Sequence, residues 1–169
     1  TLQDAGLTPV KVGGYAWFPV QFTPFGLVLD HAQAQESRQQ LEAWLEALVA
    51  APGVDRSRVF LLGFSQGAGM ALGAALHRPD LVVGVAFLSG LVVPQMIPAG
   101  DSKELRALSV LMTHGRQDSL IPIAQGRASR VLLEQLPVRL RYQEYEMGHE
   151  INGECLEEVR GWLAEGLGQ

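Results

Sequence analysis

The feature that most limits the possible folds of this chain is an apolar run that ends in a glycine-flanked serine, near the middle of the sequence. Val59–Leu62 favours a strand, Gly63-Phe64-Ser65-Gln66-Gly67 places the serine between two glycines, and small residues then lead into a helix. So sharp a turn strains the serine backbone, and the glycines let helix and strand pass closely. The pattern predicts a nucleophilic Ser65 beyond the end of a strand. A glycine-rich turn without chemistry is the alternative.

Composition narrows the class of protein. The chain has 169 residues, of which 47% are hydrophobic and 18% charged, so we expect a single globular domain spanning residues 1–169. A net charge of −5 argues against nucleic-acid binding, because phosphates would be repelled. No run of apolar residues is long enough for stable membrane insertion. A single cysteine, Cys155, cannot form an internal disulfide, which favours a cytoplasmic location.

Hydrophobic periodicity predicts alternating strands and helices after residue 30. The expected helices are Ala32–Ala50, Gln66–His77, Ile123–Leu136 and Asn152–Leu167, and the expected strands are Arg58–Leu62, Val82–Leu88, Ser109–Thr113 and Val138–Tyr145. The middle strands are apolar on both faces, which is typical of a parallel sheet with helices on each side. Val138–Tyr145 alternates with polar residues, which indicates a strand near a sheet edge. Residues 1–30 read as a loop with one short strand around Val10–Val12.

Three polar residues follow three of the expected strands, where an open parallel sheet places its active site. Ser65, Asp118 and His149 supply a hydroxyl, a carboxylate and an imidazole. A serine hydroxyl needs a base to remove its proton, and a carboxylate fixes the tautomer of that base. The order Ser65, Asp118, His149 along the chain is the order of an α/β-hydrolase. The backbone N–H of Gln66, at the start of a helix, is the expected oxyanion donor.

Other residues compete for these roles. The rival histidines are His31, His77 and His114, and the rival acids are Asp80, Asp101, Glu104 and Glu150. We expect His77 to cap a helix C-terminus, His31 to lie on the surface, and His114 to be a packed or hydrogen-bonded residue that shapes the Asp118 turn. No H-x-x-x-H or C-x-x-C spacing indicates a metal, and no lysine follows the glycines as a phosphate loop requires. We therefore expect no cofactor, and Cys155 fits packing better than catalysis.

Taken together, several motifs resemble those of the phospholipase/carboxylesterase family, the acyl-protein thioesterase-like branch of the α/β-hydrolases. They are Gly63-Phe64-Ser65-Gln66-Gly67-Ala68, Leu88-Ser89-Gly90, His114-Gly115 with Asp118, and Met147-Gly148-His149-Glu150. Gly14 and Trp17-Phe18 resemble the family's substrate loop. The resemblance implies a carboxylic ester or thioester hydrolase without cofactor, with Ser65, Asp118 and His149 as its triad. Trp17, Phe18 and the Leu91–Pro94 loop are then candidates for an acyl pocket, with core or lid packing as the alternative.

The chain departs from the family at its beginning. The family's His-Gly-rich loop, which supplies a second oxyanion N–H, has no match before Ser65. We therefore expect an α/β-hydrolase fold that lacks its N-terminal strands. The leading hypothesis is a serine carboxylesterase that forms an acyl-enzyme. The alternatives are an acyl-thioesterase, a lysophospholipase, or a non-catalytic binding protein on a hydrolase scaffold. An exposed sheet edge or the Leu91–Pro94 loop offers a surface for a homodimer.

Overall fold

The computed structural model describes residues 8–10, 14–23, 26–99 and 103–168. The chain divides into two compact units, Thr1–Val54 and Asp55–Gln169. Among the described residues, no helix combines the length and the apolar character needed to cross a membrane.

The N-terminal unit contains two short hairpins and one long helix. Strands β1 (Thr8–Val10) and β2 (Gly14–Ala16) pair antiparallel, as do β3 (Val20–Thr23) and β4 (Gly26–Leu29). The prediction of a loop over residues 1–30 is therefore wrong for these segments. Strands of three or four residues are too short for apolar alternation to show, and prolines and glycines interrupt them. Of the strand expected around Val10–Val12, Val10 lies in β1 and the remainder falls outside the described residues.

Helix α1 (His31–Ala50) begins one residue before the expected start, because Asp30 caps it by accepting a hydrogen bond from the Gln33 N–H at 3.0 Å. Helix α1 carries an apolar stripe, whose residues recur at helical spacing: Leu41, Trp44, Leu45 and Leu48. Leu45 is buried, as is Val49, whereas Trp44 is 53% exposed. The Ser37 hydroxyl of α1 donates to the Trp17 carbonyl. That bond fastens the segment after β2 to the helix.

The C-terminal unit is a four-stranded parallel sheet with helices. Its elements are β5 (Phe60–Phe64), α2 (Gln66–His77), β6 (Gly84–Leu88), β7 (Ser109–Gly115), α3 (Ile123–Glu134), β8 (Arg139–Tyr145) and α4 (Gly153–Gly166). The strands lie in the order β5-β6-β7-β8, every pair parallel. Every strand and helix expected here is present, with boundary shifts of at most two residues. Strand β7 extends two residues further than expected, so that His114 lies inside the strand.

The core of this unit lies on both faces of the two central strands. All five residues of β6 are buried, and on one face Ala86, Leu88 and Leu111 pack with Val159 and Trp162 of α4. The opposite face of β7 packs against α3, since a Cβ at Gly126 would lie 2.7 Å from the His114 ring. Helices therefore cover both faces, as the apolar strands predicted. Burying each large apolar side chain contributes about 1.5–3 kcal/mol.

The two outer strands are more exposed. β8 is an edge strand, as its alternating pattern predicted, and Arg141 on it pairs with Glu158 and Glu165 of α4. β5 is the other edge of this sheet, and its Leu62 is 54% exposed.

A charged cluster on β8 gives the fold a measurable pH dependence. The Glu144 carboxylate accepts two hydrogen bonds from Arg127, both 2.8 Å, and others from Tyr142 and Arg116. The Arg127 guanidinium outweighs the cost of burial and lowers the pKa of Glu144 from 4.5 to about 2. Since the folded pKa lies below the unfolded one, ionised Glu144 stabilises the fold above about pH 4.5, and this contribution is lost as the pH falls towards 2.

We therefore expect Glu144→Gln to lower the free energy of unfolding at pH 7 by about 1–2 kcal/mol, because the arginine partners are half exposed and partly screened. Urea unfolding at pH 7 and pH 3 measures the effect, and the gap from wild type should narrow at pH 3. Glu157→Gln, which breaks an exposed pair with Arg160, is the matched control and should show no gap at either pH. An equal gap for Glu144→Gln at both pH values would contradict the assignment.

Candidate active site

Ser65 occupies the turn between β5 and α2 in a strained conformation. Its φ of 54° and ψ of −120° lie outside the regions open to most non-glycine residues. A Cβ at Gly63 would collide with the Gly67 carbonyl and lie 2.6 Å from the Ala68 nitrogen. This confirms the prediction that glycine is needed at position 63 because helix and strand pass closely there. Gln66 is the first residue of α2, so its N–H lies at the positive end of the helix dipole, beside the serine.

Asp118 lies in the turn that follows β7, with its side chain fully buried. Its Oδ1 accepts hydrogen bonds from the N–H groups of Leu120 at 2.9 Å and Ile121 at 2.8 Å. Its Oδ2 lies 2.8 Å from His149 Nδ1. Burial alone raises the pKa of Asp118, but the bonds from His149, Ile121 and Leu120 outweigh it and hold the pKa below its usual value. Asp118 is therefore a carboxylate at neutral pH.

His149 lies in the loop after β8, between the serine and the aspartate. Its Nε2 is 2.9 Å from Ser65 Oγ, and the Phe64 ring lies 4.8 Å away between centroids. The ionised Asp118 carboxylate can only accept a hydrogen bond, so Nδ1 of His149 must carry the proton that it donates. Nε2 then presents its lone pair to the Ser65 hydroxyl. The ring is 17% exposed. The structure thus joins the three residues expected at three strand ends into one hydrogen-bonded chain.

Backbone hydrogen bonds connect the turns that carry these side chains. At each turn, an N–H just past one strand donates to a carbonyl at the end of the next strand. The bonds run from Ser65 to Leu88 (2.9 Å), from Ser89 to Thr113 (2.9 Å) and from Arg116 to Tyr145 (2.8 Å). A further bond from the Gln117 N–H to the Met147 carbonyl, 3.1 Å, ties the Asp118 turn to the His149 loop. The sheet itself therefore sets the spacing of the three side chains.

The rival residues lie where other roles explain them. The His77 ring contacts the Gly73 carbonyl near the end of α2, at 3.0 Å, and His31 is exposed at the start of α1. Among the acids, Asp80 pairs with Arg78, Glu150 accepts from the Gly148 N–H, Glu104 is exposed, and Asp101 lies outside the described residues. Cys155 is buried and donates to the Thr113 hydroxyl. Burial raises the pKa of its thiol, which fits packing and not catalysis.

The expected substrate contacts are distributed over the two units. Trp17 and Phe18 belong to the N-terminal unit, where Phe18 is buried. Leu91 follows β6, on the edge that carries Ser65, and is half-buried. The next residue, Val92, donates its N–H to the buried Ser129 hydroxyl of α3 at 3.0 Å, which anchors the loop. The acyl-pocket role of all three residues stays a prediction. In the described part of the chain, no group of three or more metal-ligating side chains is close enough to hold a metal ion.

The sequence indicated Ser89 only as part of the motif Leu88-Ser89-Gly90, without a role of its own. It follows β6 with a φ of 46°, and its buried hydroxyl has no hydrogen-bond partner among the described residues. Only the residue pair Ser89-Gly90 after an apolar strand, like the glycine-flanked Ser65, could have suggested a second strained turn. The strain itself has no signature in the sequence.

Comparisons with known proteins identify the family. A family model described as Phospholipase/Carboxylesterase matches residues 6–166. Carboxylesterase SOBER1 of Arabidopsis thaliana is 28% identical over 156 residues, covering 90% of this chain and 68% of that protein. Acyl-protein thioesterase 1 of Gibberella zeae is 32% identical over 121 residues, covering 68% of this chain and 51% of that protein. The chain thus spans about half to two thirds of the length of these curated relatives.

Solved structures add the fold. The crystal structure of the Bacillus cereus carboxylesterase superposes with a TM-score of 0.79 at 18% identity, over 94% of this chain and 72% of that one. The parallel sheet, its helices and the strained serine turn define an α/β-hydrolase, in agreement with that match. The chain belongs to the phospholipase/carboxylesterase family.

Proposed function

We propose that this chain carries the catalytic centre of a serine carboxylic-ester hydrolase. The observation that supports it best is the continuous chain Ser65 Oγ, His149 Nε2, His149 Nδ1, Asp118 Oδ2, with separations of 2.9 and 2.8 Å. Nucleophile, base and orienting carboxylate thus stand in the relation that acyl transfer requires. The strained backbone at Ser65 and its place after β5 add independent support.

Acylation follows from the positions of these atoms. Ser65 Oγ attacks the acyl carbonyl carbon while its proton passes to His149 Nε2. Asp118 keeps the other ring nitrogen protonated and stabilises the imidazolium that forms. The negative charge on the former carbonyl oxygen is held by the Gln66 N–H at the helix N-terminus. The tetrahedral intermediate collapses as the C–O bond to the leaving group breaks, and the His149 proton goes to the departing alkoxide.

Deacylation repeats these steps with water. His149 Nε2 takes a proton from a water molecule, whose oxygen attacks the ester carbonyl carbon of the acyl-enzyme. Collapse releases the carboxylic acid and returns the proton to Ser65 Oγ. One oxyanion donor is worth about 10²–10³ in kcat, so a second donor besides Gln66 would be needed for full activity.

A covalent probe tests the proposal. The complete protein that carries this chain should react with a fluorophosphonate to one equivalent, with the added mass on the peptide that contains Ser65. Ser65→Ala should abolish the labelling, whereas Ser119→Ala, which alters an exposed serine, should leave it unchanged. An unlabelled wild-type protein would favour a non-catalytic hydrolase-like binding protein instead.

Hydrolysis of acyl-thioesters is a second candidate activity. It is favoured by the 32% identity to acyl-protein thioesterase 1. A thiolate leaves more readily than an alkoxide, so the same atoms serve both reactions. We propose Trp17, Phe18 and Leu91 as contacts of the acyl chain in either case.

Kinetic profiling separates these substrates. Measuring kcat/KM for p-nitrophenyl esters of increasing chain length, beside an acyl-thioester and a lysophospholipid, ranks the three activities. Replacing Leu91 by tryptophan should shift the preference towards shorter esters if it lines the acyl pocket. An unchanged chain-length profile would remove Leu91 from the pocket.

Location and assembly complete the proposal. We propose that the enzyme is cytoplasmic. The one cysteine, Cys155, is a buried thiol that is hydrogen-bonded to Thr113, and a thiol of this kind is compatible with a reducing compartment. Cell fractionation with an antibody to the protein tests this. We also propose a homodimer through an exposed sheet edge or the Leu91–Pro94 loop, and sedimentation velocity should show a species of twice the monomer mass.

A further inference from the structure

His114 is a buried titratable residue that the mechanism above does not use. It lies in β7, four residues before Asp118, with its side chain fully buried. Its Nε2 is 2.8 Å from the Ile121 carbonyl oxygen. Its Nδ1 has no hydrogen-bond partner within the part of the chain that the structure describes.

The contact with Ile121 fixes the role of one ring nitrogen. A carbonyl oxygen only accepts hydrogen bonds, so Nε2 carries the proton that it donates to Ile121. His114 is thus a hydrogen-bond donor in a fixed orientation. The Asp118 Oδ2 lies 3.6 Å from Nε2, beyond hydrogen-bond distance, so the ring does not bind that carboxylate directly.

Ile121 links the two residues. Its N–H donates to Asp118 Oδ1 at 2.8 Å, while its carbonyl accepts from His114. Helix α3 does not use that carbonyl, because its first hydrogen bonds are made to the Pro122 carbonyl. Without His114 the buried carbonyl would lose this partner, at a cost of about 1–3 kcal/mol. Ile121 would then have to shift to give its carbonyl another partner, and the N–H that holds Asp118 belongs to the same residue.

Helix α3 holds the histidine ring from its other side. A Cβ at Gly126 would lie 2.7 Å from Cγ and 2.8 Å from Nδ1 of His114. The backbone of α3 therefore touches the ring at the nitrogen that makes no hydrogen bond. Glycine at this position is explained by the close approach of helix and ring.

We propose that His114 is a positioning residue for the Ser65–His149–Asp118 chain, acting through Ile121 to hold the Asp118 carboxylate against His149. This inference rests on the proposed function. According to this inference, the hydrogen bond donated by His114 Nε2 raises kcat, which packing of the ring alone would not do. Misplacing a catalytic group by about 1 Å costs on the order of 100-fold in rate.

Two substitutions separate the hydrogen bond from the packing. Glutamine can place an amide N–H near the position of Nε2, whereas phenylalanine fills the ring volume without a donor. We expect His114→Phe to lower kcat for p-nitrophenyl esters by about 10–100-fold with little change in KM. His114→Gln should keep kcat within about threefold of wild type. In proton NMR spectra, the downfield resonance of the hydrogen between His149 and Asp118 should weaken or shift in the phenylalanine variant only.

A matched control lies on the other face of the same strand. Thr113 is buried beside His114, and its hydroxyl contacts Cys155 of α4, away from the Asp118 turn. Thr113→Val should lower thermal stability and leave kcat unchanged. Gly126→Ala should displace the His114 ring and lower kcat about 10-fold, although the substitution removes no hydrogen-bonding side chain.

The outcomes are distinguishable. Wild-type protein that resists the fluorophosphonate defeats the proposed function itself. If the wild-type protein is labelled, three results would overturn the positioning role. The first is wild-type kcat in His114→Phe, and the second is an equal loss of kcat in His114→Gln and His114→Phe. The third is a loss of kcat in Thr113→Val as large as that in His114→Phe. Unchanged kcat in Gly126→Ala would equally overturn it.

Discussion

Replacing Asp118 by asparagine is expected to lower kcat about 10⁴-fold with KM almost unchanged. Asparagine can still accept from the Leu120 and Ile121 N–H groups, so the turn keeps its shape. Its amide nitrogen would face His149 Nδ1, however, and a donor there drives the proton of the ring to Nε2. His149 would then present an N–H to Ser65 where a lone pair is required.

Steady-state kinetics with p-nitrophenyl acetate measure this loss. Asp80→Asn makes the same chemical change in an aspartate that pairs with Arg78 on the surface, and kcat should stay within about twofold of wild type. Circular dichroism should show both variants folded. If Asp118→Asn keeps a tenth or more of wild-type kcat, the aspartate does not orient His149.

Replacing Gly63 by alanine is expected to destabilise the fold by about 3 kcal/mol and to remove activity. The added methyl would meet backbone and not a flexible side chain, since the Gly67 carbonyl and the Ala68 nitrogen occupy its space. Helix α2 would have to move away from β5, and Ser65, which joins them, would move with it. Thermal unfolding and fluorophosphonate labelling report the two effects separately.

Gly161→Ala is the matched control. Gly161 lies within α4, and a Cβ there would meet nothing within 4 Å. Alanine removes backbone freedom from the unfolded chain and favours helix, so stability should rise by about 0.5–1 kcal/mol with full activity. Equal melting temperatures for the two variants would mean that strand and helix do not need their close contact.

The sequence was most informative where long apolar segments repeat. β6, β7 and α4 could be placed because a buried strand is continuously apolar and a surface helix has a regular stripe. The mostly buried α2 could be placed because it follows the glycine-flanked Ser65 turn. The same logic placed Ser65, Asp118 and His149 at one edge, since parallel strands bring their carboxyl ends together. It failed for β1 to β4, because three or four residues cover at most two periods of strand alternation, too few for a pattern to show.

Finer features depend on contacts that no local pattern encodes. Trp44 fits the apolar stripe of α1 and yet is half exposed. The φ of Ser89 depends on the neighbouring strands, since its N–H bonds to Thr113. The sequence predicted that His114 shapes the Asp118 turn. Its contacts with the Ile121 carbonyl and with Gly126 depend on how β7 and α3 pack together, which the sequence does not show.

The backbone bonds that join successive strand ends have a consequence for inactivation. Because the Ser65, Ser89 and Arg116 N–H groups each donate a hydrogen bond to the adjoining strand, the turns that carry them cannot loosen while the sheet stays intact. Heating should therefore not yield a folded but inactive intermediate. Enzymatic activity and near-ultraviolet ellipticity should be lost over the same temperature range, and both should return together on cooling.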